Sequence, residues 1–274
     1  MTLEWNADFA HASPMFEPLR AAARGIAGPA WPQRESLNRA LAQRVPHVTN
    51  ARGKPIALVA PGTRPGFESG YEQRTFLQAE LQVRAADWHD LLNVLVWLTF
   101  PQAKAALNAR HYRELAQRRE HGHANRGRAQ DALTLFDEGG VAVVTGDAAL
   151  TTLLVRGEWK ELFYRRRAQV GRGLHFYVFG HALYEKALAP YVGMTGRCIV
   201  MEARGDFLER PLADQLPELD SRLATHIADA RHLQAPAELP PLPVLGVPGW
   251  SGDNHDPAYY DNSAYFRPQA IRRR

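Results

Sequence analysis

The chain has 274 residues, 45% apolar and 23% charged, with a formal net charge of +4 and a pI near 9.3. That is ordinary globular usage at a length that can bury about three quarters of its unfolded surface, which excludes global disorder and dependence on disulfide staples. The lone cysteine, Cys198, forms no internal disulfide, the first twenty residues lack the basic start and apolar run of a signal peptide, and the longest apolar stretch, 91–100, is about half a bilayer span, so a cytoplasmic protein with no membrane partner is expected.

Residues 1–54 read as a helical N-terminal extension of two short helices, the second over 33–45 with Leu37, Ala40, Leu41 and Val45 at helical spacing. The run IALVA at 56–60, between Pro55 and Pro61, predicts a short buried strand, and 62–70 a loop. Residues 87–100 predict a helix that Asp87 can cap, with Leu91, Leu92, Leu95, Val96 and Leu98 as its apolar mass. Pro101 suits the first turn of a second helix reaching about Glu120, with Ala103, Leu107, Tyr112 and Leu115 on the inner side and arginines on the others. A polar loop follows at 121–128, where His121 and His123 read as loop residues rather than a metal pair.

Segments 132–136 and 141–144 flank Asp137-Glu138-Gly139-Gly140, and together they read as a hairpin. Gly146-Asp147 opens a helical stretch to about Arg167, 175–179 is a strand, 180–188 a helix, 198–202 another strand and 219–230 a further helix. From Gln234 the chain is Pro-rich, with Pro236, Pro240, Pro241, Pro243 and Pro248, and then aromatic; so many rings are not left in water without a partner, so an extended tail packed on the body is expected.

Alternating strands and helices imply parallel pairing through right-handed crossovers. The expected fold is one α/β domain over 1–274: a mostly parallel sheet with one hairpin, from about Ile56 and then Ala132 to Glu202, covered by helices. The helix pair 87–120 packs on one side, and the N-terminal helices (1–54) and the Pro-rich C-terminal tail (234–274) wrap the outside.

In an open parallel sheet, ligands bind beyond the carboxyl ends of the strands. That rule selects Asp147 and His181, the latter also at a helix N-terminus that favours an anion. His181 and Glu185 are four apart and share a helical face, the spacing of a metal pair, although a surface pair or a capped histidine is the plainer reading. On the helix pair, His89, Asp90 and Asn93 lie together, as do Lys104, Asn108 and His111 after the Pro101 turn; the two sets converge if the helices pack antiparallel, against the plainer expectation that such residues cap or solvate helix ends. Asp131, Asp137 and Glu138 are of the type that holds Mg²⁺ or works as acid and base, yet Asp-Glu-Gly-Gly is what a turn demands, and the turn is preferred.

Several sharper motifs fail. His89-Asp90 looks like a metal phosphohydrolase dipeptide, but His255-Asp256 repeats it among eleven histidines. Residues 62–66 lack the Lys-Ser/Thr of a phosphate loop, there is no Gly-x-Ser-x-Gly elbow, and Cys198 inside an apolar strand reads as an inert thiol.

Three functional readings follow. The first is a hydrolytic enzyme acting on an anionic small molecule or phosphoester, with His89, Asp90, His181 and Asp147 catalytic, Lys104, Asn93, Asn108 and His111 holding the anion, and a divalent metal, through His181 and Glu185, as the candidate cofactor. The second, less favoured because such clusters are also solvated helix faces, is a nucleic acid or ribonucleoprotein accessory protein. It would use Arg118, Arg119, Arg126 and Arg128, the triplet containing Arg165 and Arg166, and the basic end 272–274. The third is a protein-binding scaffold acting through the aromatic tail.

Residues 88–112 (WHDLLNVLVWLTFPQAKAALNARHY), 130–140 (QDALTLFDEGG), 179–191 (FGHALYEKALAPY) and 242–250 (LPVLGVPGW), with YEQR at 71–74 and YYDNSAYFRP at 259–268, resemble the bacterial family catalogued as domain of unknown function 3025. The resemblance covers roughly residues 71–268. That family carries no established activity, cofactor or catalytic set, so the resemblance assigns no residue a role. It implies a single cytoplasmic unit in which the Pro-rich tail belongs to the fold.

Overall fold

A computed structural model describes residues 3–62, 66–122 and 127–269. The N-terminal segment forms two 3₁₀ turns at 9–11 and 14–19, then α1 (Arg20–Arg24) and α2 (Arg34–Gln43). It is not an outer wrapping as expected: Phe9, Met15, Phe16 and Leu19 are fully buried, and Phe16 stacks on Tyr184 at 5.5 Å. The predicted strand at Ile56 exists as β1 (Ala57–Val59), but it does not join the main sheet. After α3 (Tyr71–Gln78) it pairs in parallel with β2 (Glu80–Gln82), and the two strands make a small sheet of their own.

The helix pair forms as its spacing dictates. In α4 (Trp88–Thr99) the Asp87 side chain accepts from the Asp90 amide, and the whole of 91–98 is buried. Pro101 opens α5 (Pro101–Glu120), whose N-terminus is capped from a distance. Asp220, on α10 (Leu212–Ala228) and 1% exposed, accepts from the Gln102 and Ala103 amides at 3.0 and 2.8 Å. Asp220→Ala would leave both donors without this partner, the Ala103 amide in a buried place. It should lower stability by about 2 kcal/mol, seen as a lower denaturation midpoint at unchanged slope; an unchanged midpoint would contradict the capping role.

The expected hairpin at 132–144 is absent. Its first arm lies in α6 (Arg128–Gly139), because Ala129, Ala132, Leu133 and Phe136 recur at helical spacing and all are buried. Gly139-Gly140 marks the passage from that helix into β3 (Gly140–Thr145) rather than a turn between strands. Next come α7 (Ala148–Arg156), a π-helical turn at 161–165, α8 (Arg167–Gly173), β4 (Leu174–Val178), α9 (His181–Ala187), β5 (Thr195–Glu202) and, after α10, β6 (Pro241–Pro243). The main sheet has the order β4-β3-β5-β6.

Within the main sheet β3 and β5 are parallel, β4 runs antiparallel to β3, and β6 antiparallel to β5. The sheet is therefore mixed, not mostly parallel. The reason lies in where each connection lands: Leu174 pairs with Thr145, so the helical excursion after β3 returns to the rim it left and sends β4 back the other way.

The Pro-rich tail packs on the body as its aromatics required. It supplies β6 and buries Tyr260, Tyr265 and Phe266 in the same apolar cluster that holds the N-terminal rings. The Tyr265 hydroxyl donates to the Met194 carbonyl at 2.7 Å and accepts from the Leu245 amide at 3.0 Å. Tyr265→Phe should cost about 1 kcal/mol, measured by thermal unfolding; a wild-type midpoint would mean the hydroxyl is dispensable. With their faces spent on the body, these rings are poorly placed to act as a partner-docking segment. Cys198 is buried and burial pushes its thiol far up, which fits an inert thiol. Among the described residues, no helix is long and apolar enough to cross a membrane.

Candidate functional site

The reversal of β4 decides the site. Val178, the last residue of β4, pairs with Val141 at the start of β3. His181, which follows β4, therefore arrives at the C-terminal end of α6, where Asp137 and Glu138 emerge. Gly180 makes the approach possible: its amide donates to the Gly140 carbonyl at 2.9 Å, and a Cβ there would overlap the Gly140 nitrogen and lie 2.5 Å from the Glu138 carbonyl oxygen. Helix α4 packs on α9 and brings His89 to the same place.

The result is a cavity of about 350 Å³ that His89, Asp90, Asn93, His111, Asp137, Glu138 and His181 line together with Tyr71, Glu72, Arg84 and Thr134. The His89 and His181 Nε2 atoms face each other at 3.0 Å, and Glu138 Oε1 lies 3.8 Å from His181 Nε2. One nitrogen from each histidine and one Glu138 oxygen all fall within 4.8 Å of one another. His89 Nδ1 is 2.8 Å from Glu185 Oε2, an arrangement in which the ring donates to the carboxylate and leaves Nε2 as a lone pair.

Electrostatics separates these groups. His181 is 4% exposed, and burial above all pushes its pKa down to about 4, so the ring is neutral at pH 7. Burial, then the adjacent Asp137 charge, raises the Glu138 carboxyl. Burial also works to raise Asp137, but Lys104, which bonds it directly, together with His181 and His111, holds it below the ordinary carboxylate range. Arg84 grips Asp90 through Nε and Nη2, both at 2.8 Å.

Of the four groups expected to be catalytic, the structure brings His89, Asp90 and His181 together and leaves Asp147 out. Asp147 caps α7, accepting from Ala149 and Leu150 at 2.7 and 3.2 Å, at the far end of β3 from His181. The parallel topology that placed both residues on one rim does not exist. Glu185 serves His89 rather than pairing with His181.

Of the expected anion binders, Asn93 and His111 line the cavity. Lys104 is bonded to Asp137, and the Asn108 amide donates to the Glu72 carbonyl and carboxylate at 3.0 and 2.7 Å, so both face acceptors. Tyr71, Glu72, Arg84 and Thr134 were not expected, and Asp137 and Glu138, weighed as metal or acid–base carboxylates, were assigned to a turn instead. Part of the signal was present: reading 128–139 as a helix puts Thr134, Asp137 and Glu138 at i, i+3 and i+4, on one face.

The basic clusters are largely engaged elsewhere. Arg165 and Arg166 both pair with Glu161, at 3.1 and 3.0 Å, and Arg119 lies over the Phe67 ring at 4.7 Å. Arg110 is buried against the Ile227 and Asp229 carbonyls. Arg118 is half-buried and Arg128 exposed. His123, Arg126 and the basic end 272–274 lie outside the described residues.

A family model described as a protein of unknown function (DUF3025) matches residues 56–270. The chain belongs to that family. The DUF3025 match encloses every residue that lines the cavity, from Tyr71 to His181, and leaves α1 and α2 outside. No curated protein and no solved structure matches the chain.

Proposed function

We propose that the protein is a divalent-metal-dependent hydrolase whose metal ligands are His89, His181 and Glu138. The observation that carries this reading is the 3.0 Å approach of two imidazole Nε2 atoms beside a carboxylate oxygen. With the His89 Nδ1 proton committed to Glu185, its Nε2 presents a lone pair toward a second neutral imidazole. Such a pair shares one proton or one cation. Neighbouring ligands on a tetrahedral zinc ion, each bound at about 2.1 Å, sit about 3.4 Å apart, a few tenths of an ångström beyond this separation.

Two histidines and a glutamate with a fourth position open is a catalytic rather than a structural ligand set. Glu185 then orients His89 from outside the ligand shell. A bound divalent ion would supply a Lewis acid and an acidified water at neutral pH. The remaining polar groups suit substrate handling. The Tyr71 hydroxyl accepts from Asn93 Nδ2 at 2.7 Å and keeps its own proton for an oxygen in the cavity. Burial, then Glu72 and Asp137, hold that proton on. The Lys104–Asp137 pair gives the wall a charge-balanced support.

Calorimetric titration of the full chain with Zn²⁺ and Mn²⁺ should find one ion bound per chain, with a rise in melting temperature. Affinity should fall as pH drops toward about 4, where protons compete for the His181 lone pair. Hydrolysis of an ester and amide panel by the metal-loaded protein should stop on chelation. Failure of both ions to bind, with no thermal shift, would sink the reading.

A further inference from the structure

We propose that the substrate of this site is an organic cation rich in N–H donors, an ammonium, amidine or guanidinium compound, held by Glu72 and the Asn93 amide oxygen. The word substrate rests on the hydrolase reading; the preference for a cation does not.

Among the described lining residues four are carboxylates, Glu72, Asp90, Asp137 and Glu138, against one guanidinium, Arg84. Arg84 is committed to Asp90, and Lys104 to Asp137. Removing these two pairs leaves Glu72 and Glu138 with no cationic partner in the wall. A divalent ion bound to Glu138 still leaves Glu72, whose Oε2 accepts, among the described residues, from the uncharged Asn108 amide. An anion entering the metal-free space meets Glu72 and Glu138 with no unpaired Lys or Arg among the described lining residues to hold it, and like-charge juxtaposition in a recessed site is unfavourable. This reverses the expectation of an anionic substrate.

A second observation points the same way without using charge. Asn93 is buried, its Nδ2 donates to Tyr71, and its Oδ1 has no partner. A buried acceptor left unpaired is unfavourable, so it calls for a donor from the occupant. An N–H-rich cation answers both Glu72 and the Asn93 Oδ1 at once, which the acceptor oxygens of a phosphoester do not.

The test uses the full chain, with and without Zn²⁺, and calorimetry at low salt. The probes are 1,4-diaminobutane and 4-guanidinobutylamine, against inorganic phosphate. Both amines should bind the wild type, and phosphate should not bind the metal-free chain. Glu72→Gln should weaken the amines at least tenfold. Asn93→Leu should also weaken them, which keeps the test open if Glu72→Gln does not fold. Phosphate binding the metal-free chain more tightly than either amine, or amine affinity unchanged in the folded variants, would overturn the proposal. Metal binding without amine binding removes the substrate class alone; amine binding without metal binding removes the hydrolase and leaves the cation site.

Discussion

His181→Ala should lower Zn²⁺ affinity by more than about 100-fold, while Glu185→Gln should lower it only about 10-fold. The difference follows from their places. His181 presents Nε2 to the point His89 also faces, whereas Glu185 touches only the opposite nitrogen of His89. Loss of an outer carboxylate that orients a ligand typically costs 10–100-fold, and loss of a ligand from a three-residue set costs more. His181 is buried, so its variant must first be shown folded by circular dichroism. His89 is more exposed and gives the cleaner companion: His89→Ala should lose as much affinity with little change in melting temperature. Wild-type affinity in both histidine variants would show that the two rings do not share an ion.

Gly180→Ala should destabilise the fold by about 3 kcal/mol or more and weaken metal binding together with it. The glycine is not needed for its dihedrals, which any residue adopts: φ is −64° and ψ is 119°. It is needed for space. The methyl group would meet the Glu138 carbonyl oxygen and the Gly139 nitrogen at 2.5 Å, backbone atoms that cannot swing aside as the end of a flexible side chain could. Relief requires moving α9 off the end of α6, which separates His181 from Glu138 and strains the bonds from the 179 and 180 amides to the Gly140 carbonyl. Gly139→Ala, where a Cβ meets nothing, is the control and should stay near wild type. Equal midpoints for the two variants in chemical denaturation would remove the packing role of Gly180.

The residues of the site are unequally legible in the sequence. His181 follows a strand and opens a helix in any reading of the sequence, and His89 with Asn93 sits on a visibly amphipathic turn. Glu138 was hidden because Asp-Glu-Gly-Gly satisfies the chemistry of a hairpin turn as well as that of a helix end. The apolar spacing of Ala129, Ala132, Leu133 and Phe136 arbitrates in favour of the helix, since burial of one face outweighs a local turn preference. Glu72 and Arg84 carried no local mark at all, because nothing in α3 or in the segment before α4 depends on what lies opposite.

The sequence by itself determined the elements whose cause is local: the Asp87 cap, the Pro101 break between α4 and α5, the apolar strands β3 to β5, and the packed aromatic tail. Strand direction was decided only by the tertiary structure. An apolar run of five residues reads the same whichever way it is laid in a sheet, and its orientation depends on where the preceding connection comes to rest. Here the helices after β3 return to the rim they left, so β4 is reversed, Asp147 caps a helix at one end, and His181 meets His89 and Glu138 at the other.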